Sequence, residues 1–113
     1  MARIDHAAIR TKLYEEAQRF FEDVFEMHMW REIGEKPGRK CWYKEGIQLC
    51  EVEELDAASE NGYDHISIAV DSETEIMEKI KAYPVKAIND HWFWLPNGTK
   101  IELKPLAEWK VDA

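Results

Sequence analysis

The chain has 113 residues, of which 45% are hydrophobic and 34% charged, with a formal net charge of −8 at neutral pH. Such proportions describe a folded, soluble domain with a core, not a disordered chain. With no basic face or stripe, neither nucleic acid nor an anionic membrane is an expected partner. No apolar stretch follows a basic start and no apolar run approaches about 18 residues, so the expected location is the cytoplasm.

In chain order, residues 3–10 read as a strand and residues 13–25 as a helix. In that helix Leu13, Ala17, Phe20, Phe21, Val24 and Phe25 form one wide apolar stripe, with Thr11 as the expected N-cap. Strands are expected over 27–33, 40–44 and 47–54, the last two joined by a tight Glu45-Gly46 turn. After a short polar linker, 56–62, residues 63–70 form a strand. Ser72 with Glu75 three later opens a helix over 73–83, which Pro84 stops. Short strands follow near 85–88, 91–95 and 99–104, with Pro96-Asn97-Gly98 as a turn, and residues 105–113 read as a tail.

The order strand-helix-strand-strand-strand is thus written twice. Ile4-Asp5-His6-Ala7-Ala8-Ile9 matches Tyr63-Asp64-His65-Ile66-Ser67-Ile68, and Gly46-Ile47-Gln48-Leu49 resembles the stretch from Gly98 to Leu103. A duplicated βαβββ unit of about 50 residues predicts one domain over residues 1–113, built from repeats at about 3–54 and 63–104.

Strand alternation separates two faces. Ala7, Ile9, Ile47, Leu49, Ile66, Ile68, Ile101 and Leu103 belong under the helices. His6, Gln48, His65 and Glu102 fall at equivalent positions of the opposite face, beside small Ala8, Ser67 and Ala69, which leave room for a ligand. Two imidazoles, a carboxylate and an amide oxygen make a mixed N/O set suited to Ni²⁺, Zn²⁺, Co²⁺, Mn²⁺ or Fe²⁺ rather than Ca²⁺. A neutral Gln ligand would leave such an ion strongly Lewis-acidic. Taken singly, each of these residues is an ordinary packed or solvated strand side chain; their repetition carries the reading.

His28 and His91 lack repeat partners and are expected at the surface or a pocket rim. Trp30, Trp42, Trp92 and Trp94 lie in strand-like segments, and rings of that size are expected to fill a core, with an aromatic-lined pocket or a dimer contact as alternatives. Cys41 and Cys50 form no disulfide framework or CxxC pattern. A two-residue loop would make them cross-strand neighbours on the Gln48 face; otherwise they are two small buried thiols. The acids in 51–56 and the Arg31, Lys36, Arg39 and Lys40 group are expected to be solvated, the basic group having substrate contact as its alternative.

The two repeated strands, each followed by a Glu-rich amphipathic helix, and the closing run from Trp94 to Leu103 resemble the vicinal oxygen chelate superfamily. It includes glyoxalase I, methylmalonyl-CoA epimerase, extradiol dioxygenases and metal-free bleomycin-binding proteins. The resemblance implies an α+β fold in which two βαβββ modules form a curled mixed sheet with an open cup, usually in a homodimer. It places metal ligands at His6, Gln48, His65 and Glu102, a set similar to that of the epimerase. The activity expected is that of a divalent-metal-dependent lyase or isomerase. It would act on a small substrate by proton abstraction alpha to a carbonyl, with the metal stabilising an enediolate and Glu102 as base. Two alternatives stand beside it: a non-catalytic binding protein of the bleomycin-resistance type, and an extradiol-type dioxygenase.

Overall fold

The computed structural model describes residues 2–55 and 62–108. Most of the expected linker and the end of the expected tail, including Trp109, lie outside them. The strands are β1 (Ala2–Thr11), β2 (Met29–Ile33), β3 (Lys40–Tyr43), β4 (Ile47–Glu51), β5 (Tyr63–Val70), β6 (Lys86–Ala87), β7 (Trp92–Trp94) and β8 (Lys100–Pro105). Two helices, α1 (Tyr14–Phe25) and α2 (Glu73–Lys79), follow β1 and β5, so the βαβββ order occurs twice. Hydrogen-bonded strand order is β2-β3-β4-β1-β5-β8-β7-β6, a mixed α+β architecture with one eight-stranded sheet. Residues 6–55 and 62–64 form one compact unit, and residues 2–5 and 65–108 another.

In the first unit β1 runs parallel to β4, with Ala7 opposite Ile47 and Ile9 opposite Leu49, while β3 and β2 extend the ladder antiparallel. Tyr14, Cys41, Tyr43 and Leu49 form the buried cluster, against which Ile9, Ala17 and Phe21 pack. Only two of the six residues of the expected α1 stripe, Ala17 and Phe21, pack on this cluster: Leu13, Phe20, Val24 and Phe25 remain 50–61% exposed. Thr11 does not cap the helix. Its hydroxyl accepts from Leu13 N–H two residues too early, and the N-cap position is Leu13 itself, without a side-chain cap.

The β3–β4 turn differs from expectation by one residue. Trp42 pairs with Gln48, leaving Lys44, Glu45 and Gly46 in the loop, with Gly46 at φ 107° and its N–H donating to Tyr43 O. A one-residue change reverses which side chains meet. Cys41 therefore pairs with Leu49 in the core, whereas Cys50 pairs with Lys40, so the two buried thiols sit on opposite faces rather than side by side.

In the second unit β5 and β8 are parallel, and β7 and β6 follow antiparallel. Val70, Phe93, Ile101 and Leu103 are buried, with Ile76 and Met77 of α2 packed on them. Ser72 caps α2 as expected, its hydroxyl accepting from Glu75 N–H at 3.1 Å. The helix is shorter than expected. It tightens into a 3₁₀ turn over Ile80–Ala82, and Tyr83 is extended, as the residue before Pro84 must be.

Candidate functional site

Each unit presents a core face and a second face, and the expected site residues all lie on the second. In the first unit, Ala8 is the register partner of Gln48, and His6 precedes Ala8 by two on the same face. His6 is 3% exposed and Gln48 4%. The Gln48 Oε1 atom is buried and accepts no hydrogen bond among the described residues. An unmatched buried acceptor loses its hydration without replacement, at roughly 1–3 kcal/mol. An oxygen in that condition fits the part of a metal ligand, and a buried imidazole on the next strand is the matching donor type.

In the second unit, Ser67 is the register partner of Glu102 on β8, and His65 lies two residues before Ser67 on the same face. His65 Nε2 stands 3.3 Å from Glu102 Oε1, both groups largely shielded from water. The imidazole and the Trp92 ring make a T-shaped contact at a centroid distance of 4.7 Å, which restrains the imidazole plane. An imidazole and a carboxylate at this separation are two of the three donors of a two-His-one-carboxylate set. The Ser67 hydroxyl beside them is fully buried and makes no hydrogen bond among the described residues.

Tryptophan is the main correction to the sequence expectation. None of Trp30, Trp42, Trp92 and Trp94 belongs to either buried cluster. Trp42 pairs with Gln48, and Trp92 with Glu102, so these rings stand on the same faces as the expected site residues. A β-bulge between Met29 and Arg31 shifts the register around Trp30, whose indole N–H is buried without an acceptor among the described residues. Lys100 was unremarked in the sequence, yet its ammonium lies 4.6 Å from the Trp92 ring centroid and 5.7 Å from that of Trp94. Nothing in its spacing could have revealed this, because it needs the register of β7 against β8.

Of the basic group expected to be solvated, Arg31, Lys36 and Lys40 are exposed. Arg39 is not solvated: it makes a two-pronged pair with Glu51, with bonds of 2.9 and 2.7 Å, and covers the Tyr14 ring. That guanidinium holds the Glu51 carboxyl down at about 2. Tyr14 donates to Glu32 and Tyr43 to Glu22, at 2.7 and 2.8 Å. Burial first, then Cys41 and these carboxylates, push both phenols well above their ordinary range. Burial also raises Cys50 to about 11, so it is a poor nucleophile near neutrality. His28 and His91 are exposed, each pairing with a carboxylate, Glu45 and Glu73. A surface groove of about 680 Å³ between α2 and β6, with Met77, Ile80 and Val85 in its lining, contains none of the expected site residues.

No family model matches the chain, and no curated protein matches it. Solved structures do. A methylmalonyl-CoA epimerase in complex with methylmalonyl-CoA and NH4+ superposes with a TM-score of 0.71 at 18% identity, over 96% of this chain and 97% of that one. A Streptomyces coelicolor methylmalonyl-CoA epimerase variant with 2-nitronate-propionyl-CoA gives 0.67 at 17%, over 95% and 96%. A hypothetical protein from Bacillus halodurans C-125 gives 0.66 at 17%, over 90% and 92%. The chain has the vicinal oxygen chelate fold expected from its sequence, as these epimerases do.

Proposed function

We propose that this chain is a divalent-metal-dependent lyase or isomerase of the epimerase or glyoxalase type, and that His6, Gln48, His65 and Glu102 together hold the ion. The observation that carries the reading is the buried, unpartnered Gln48 Oε1 in one repeat, matched in the other by an imidazole–carboxylate pair 3.3 Å apart. A bound ion such as Ni²⁺, Zn²⁺, Co²⁺, Mn²⁺ or Fe²⁺ supplies Lewis acidity toward oxygens of a small substrate. Glu102, by loosening from the ion, would remove the proton alpha to the carbonyl, and the contact with Trp92 would keep the His65 ring in orientation. Glu102 retains 23% side-chain exposure, which gives a substrate access to the carboxylate.

The reading carries with it a single domain over residues 1–113 made of two repeats, a cytoplasmic location, a small-molecule substrate and a homodimer. Among the described residues no helix is long and apolar enough to cross a membrane, and the exposed Phe20, Val24 and Phe25 of α1 offer apolar surface for a second copy. A metal-free binding protein is the second reading, supported by the tryptophans on the ligand-holding faces.

Elemental mass spectrometry on tag-free protein purified without chelator tests the proposal. Near one transition metal per chain is expected, lost in His65→Ala, together with proton exchange alpha to a carbonyl that Glu102→Gln abolishes. Metal absent even after reconstitution would overturn it in favour of the binding protein.

A further inference from the structure

Among the described residues, Lys100 is a cation held by aromatic rings without an ion pair. In the same unit Lys104 lies 3.6 Å from the buried Asp5 carboxylate and Lys81 is bonded to Glu78. Lys100, in contrast, is half-buried over Trp92 and flanked by Trp94. Aromatic faces position an ammonium and lower the cost of its partial burial, but they do not cancel its charge. A carboxylate partner would do both.

Register places this cation with the candidate chemistry. Trp94 is opposite Lys100 and Trp92 is opposite Glu102, so all four side chains share one face, to which Ser67 also belongs. Ser67 supplies a fully buried hydroxyl whose hydrogen bond is unmade among the described residues. A group that brings an anionic oxygen to Lys100 and an acceptor to Ser67, and has apolar flanks against indole, satisfies each of them. Charge-assisted bonds in such partly dry surroundings are stronger than neutral ones.

We propose that Lys100, Trp92, Trp94 and Ser67 form an anion subsite that selects substrates bearing a carboxylate next to a planar or apolar portion. The inference deepens the function proposed above by naming a substrate class for the same face. Lys100 acts as a specificity determinant: it fixes one end of the substrate and leaves proton removal to Glu102. A neutral ester of the same shape loses the charge-assisted bond and keeps only the indole contact.

The test is calorimetric titration of EDTA-treated protein with phenylpyruvate and with its methyl ester, so that it does not depend on any metal. Wild type is expected to prefer the acid by roughly ten- to a hundredfold, the range for one charge-assisted hydrogen bond. Lys100→Met should remove that preference while leaving ester affinity within about twofold, and Lys100→Arg should restore most of it. Raising the salt concentration should weaken the acid and spare the ester. Equal affinity of wild type for acid and ester, an unchanged preference in Lys100→Met, or no binding of either compound would overturn the subsite. The metal analysis bears separately on the catalytic reading, so either can fail alone. Circular dichroism and the retained ester binding distinguish a folded Lys100→Met from a collapsed one.

Discussion

Gln48→Leu separates the two states of the proposed metal site by opposite signs. The side chain is 4% exposed and its Oε1 accepts no hydrogen bond among the described residues. Its desolvation is therefore an uncompensated cost of roughly 1–3 kcal/mol in the metal-free protein. Leucine has a similar volume and no polar atom. After an allowance for imperfect packing, the variant should be more stable than wild type in EDTA by about 1 kcal/mol. In a domain of this size that is a rise in Tm of roughly 4–8 °C.

Saturating metal should reverse the order. An ion at a hundred times its Kd stabilises the folded chain by about 2.7 kcal/mol, and removing one of four donors should forfeit most of that. Gln48→Glu should behave inversely: a buried carboxylate without a counter-charge destabilises the EDTA form, whereas metal should raise its Tm by more than it raises that of wild type. Thermal unfolding followed by circular dichroism, in EDTA and in excess Ni²⁺, Zn²⁺ or Mn²⁺, reads all four quantities. A Gln48→Leu protein that melts below wild type in EDTA would refute the claim that Oε1 is unsatisfied. A metal-induced shift equal to that of wild type would refute its role as a ligand.

Other consequences are independent of the site. Gly62 has φ 83°, and a Cβ there would stand 2.6 Å from the Arg10 carbonyl oxygen, while Gly98 has φ 90° with no atom within 4 Å. Gly98→Ala should cost only the left-handed penalty of about 1–2 kcal/mol, and Gly62→Ala at least about 1 kcal/mol more, in urea unfolding; equal costs would deny the clash. Glu26 closes α1 in the left-handed conformation at φ 55°, so Glu26→Gly should stabilise by about 0.5–1 kcal/mol, and a loss would show that its side chain has a role there. Tyr14, Tyr43 and Cys50 ionise at higher pH folded than unfolded. Stability from these groups is complete below about pH 9 and falls as pH rises toward 11 and beyond. A denaturation midpoint that stays flat from pH 8 to 11 would contradict their burial.

Duplication is what made the sequence legible. A single strand histidine says little, but His6 and His65 at the same place in two copies of Ile/Tyr-Asp-His fix strand phase in both repeats at once. From the phase follow the positions of Gln48 and Glu102, since each closing strand runs parallel to the first strand of its repeat. Core positions followed for the same reason. Leu49, Ile101 and Leu103 are buried where alternation put them.

What was not legible depends on register between neighbouring strands, to which hydrophobic pattern is blind when both faces carry apolar side chains. Glu45-Gly46 reads as a two-residue turn, and the third loop residue, Lys44, was enough to send Cys41 to the core and Cys50 to the opposite face. The tryptophans show the same limit. An indole is as apolar in a site as in a core, so composition placed them inside, yet Trp92 and Trp94 alternate with the buried Phe93. The core requires only Phe93 from that strand, packed with Val70, Ile101 and Leu103. The two indoles are then free to shape the other face, where an aliphatic side chain would supply apolar area but no π-surface to hold Lys100 as a charge. Replacing them by leucine should therefore spare the fold and release the ammonium, a division of labour that the hydrophobic pattern of the strand cannot express.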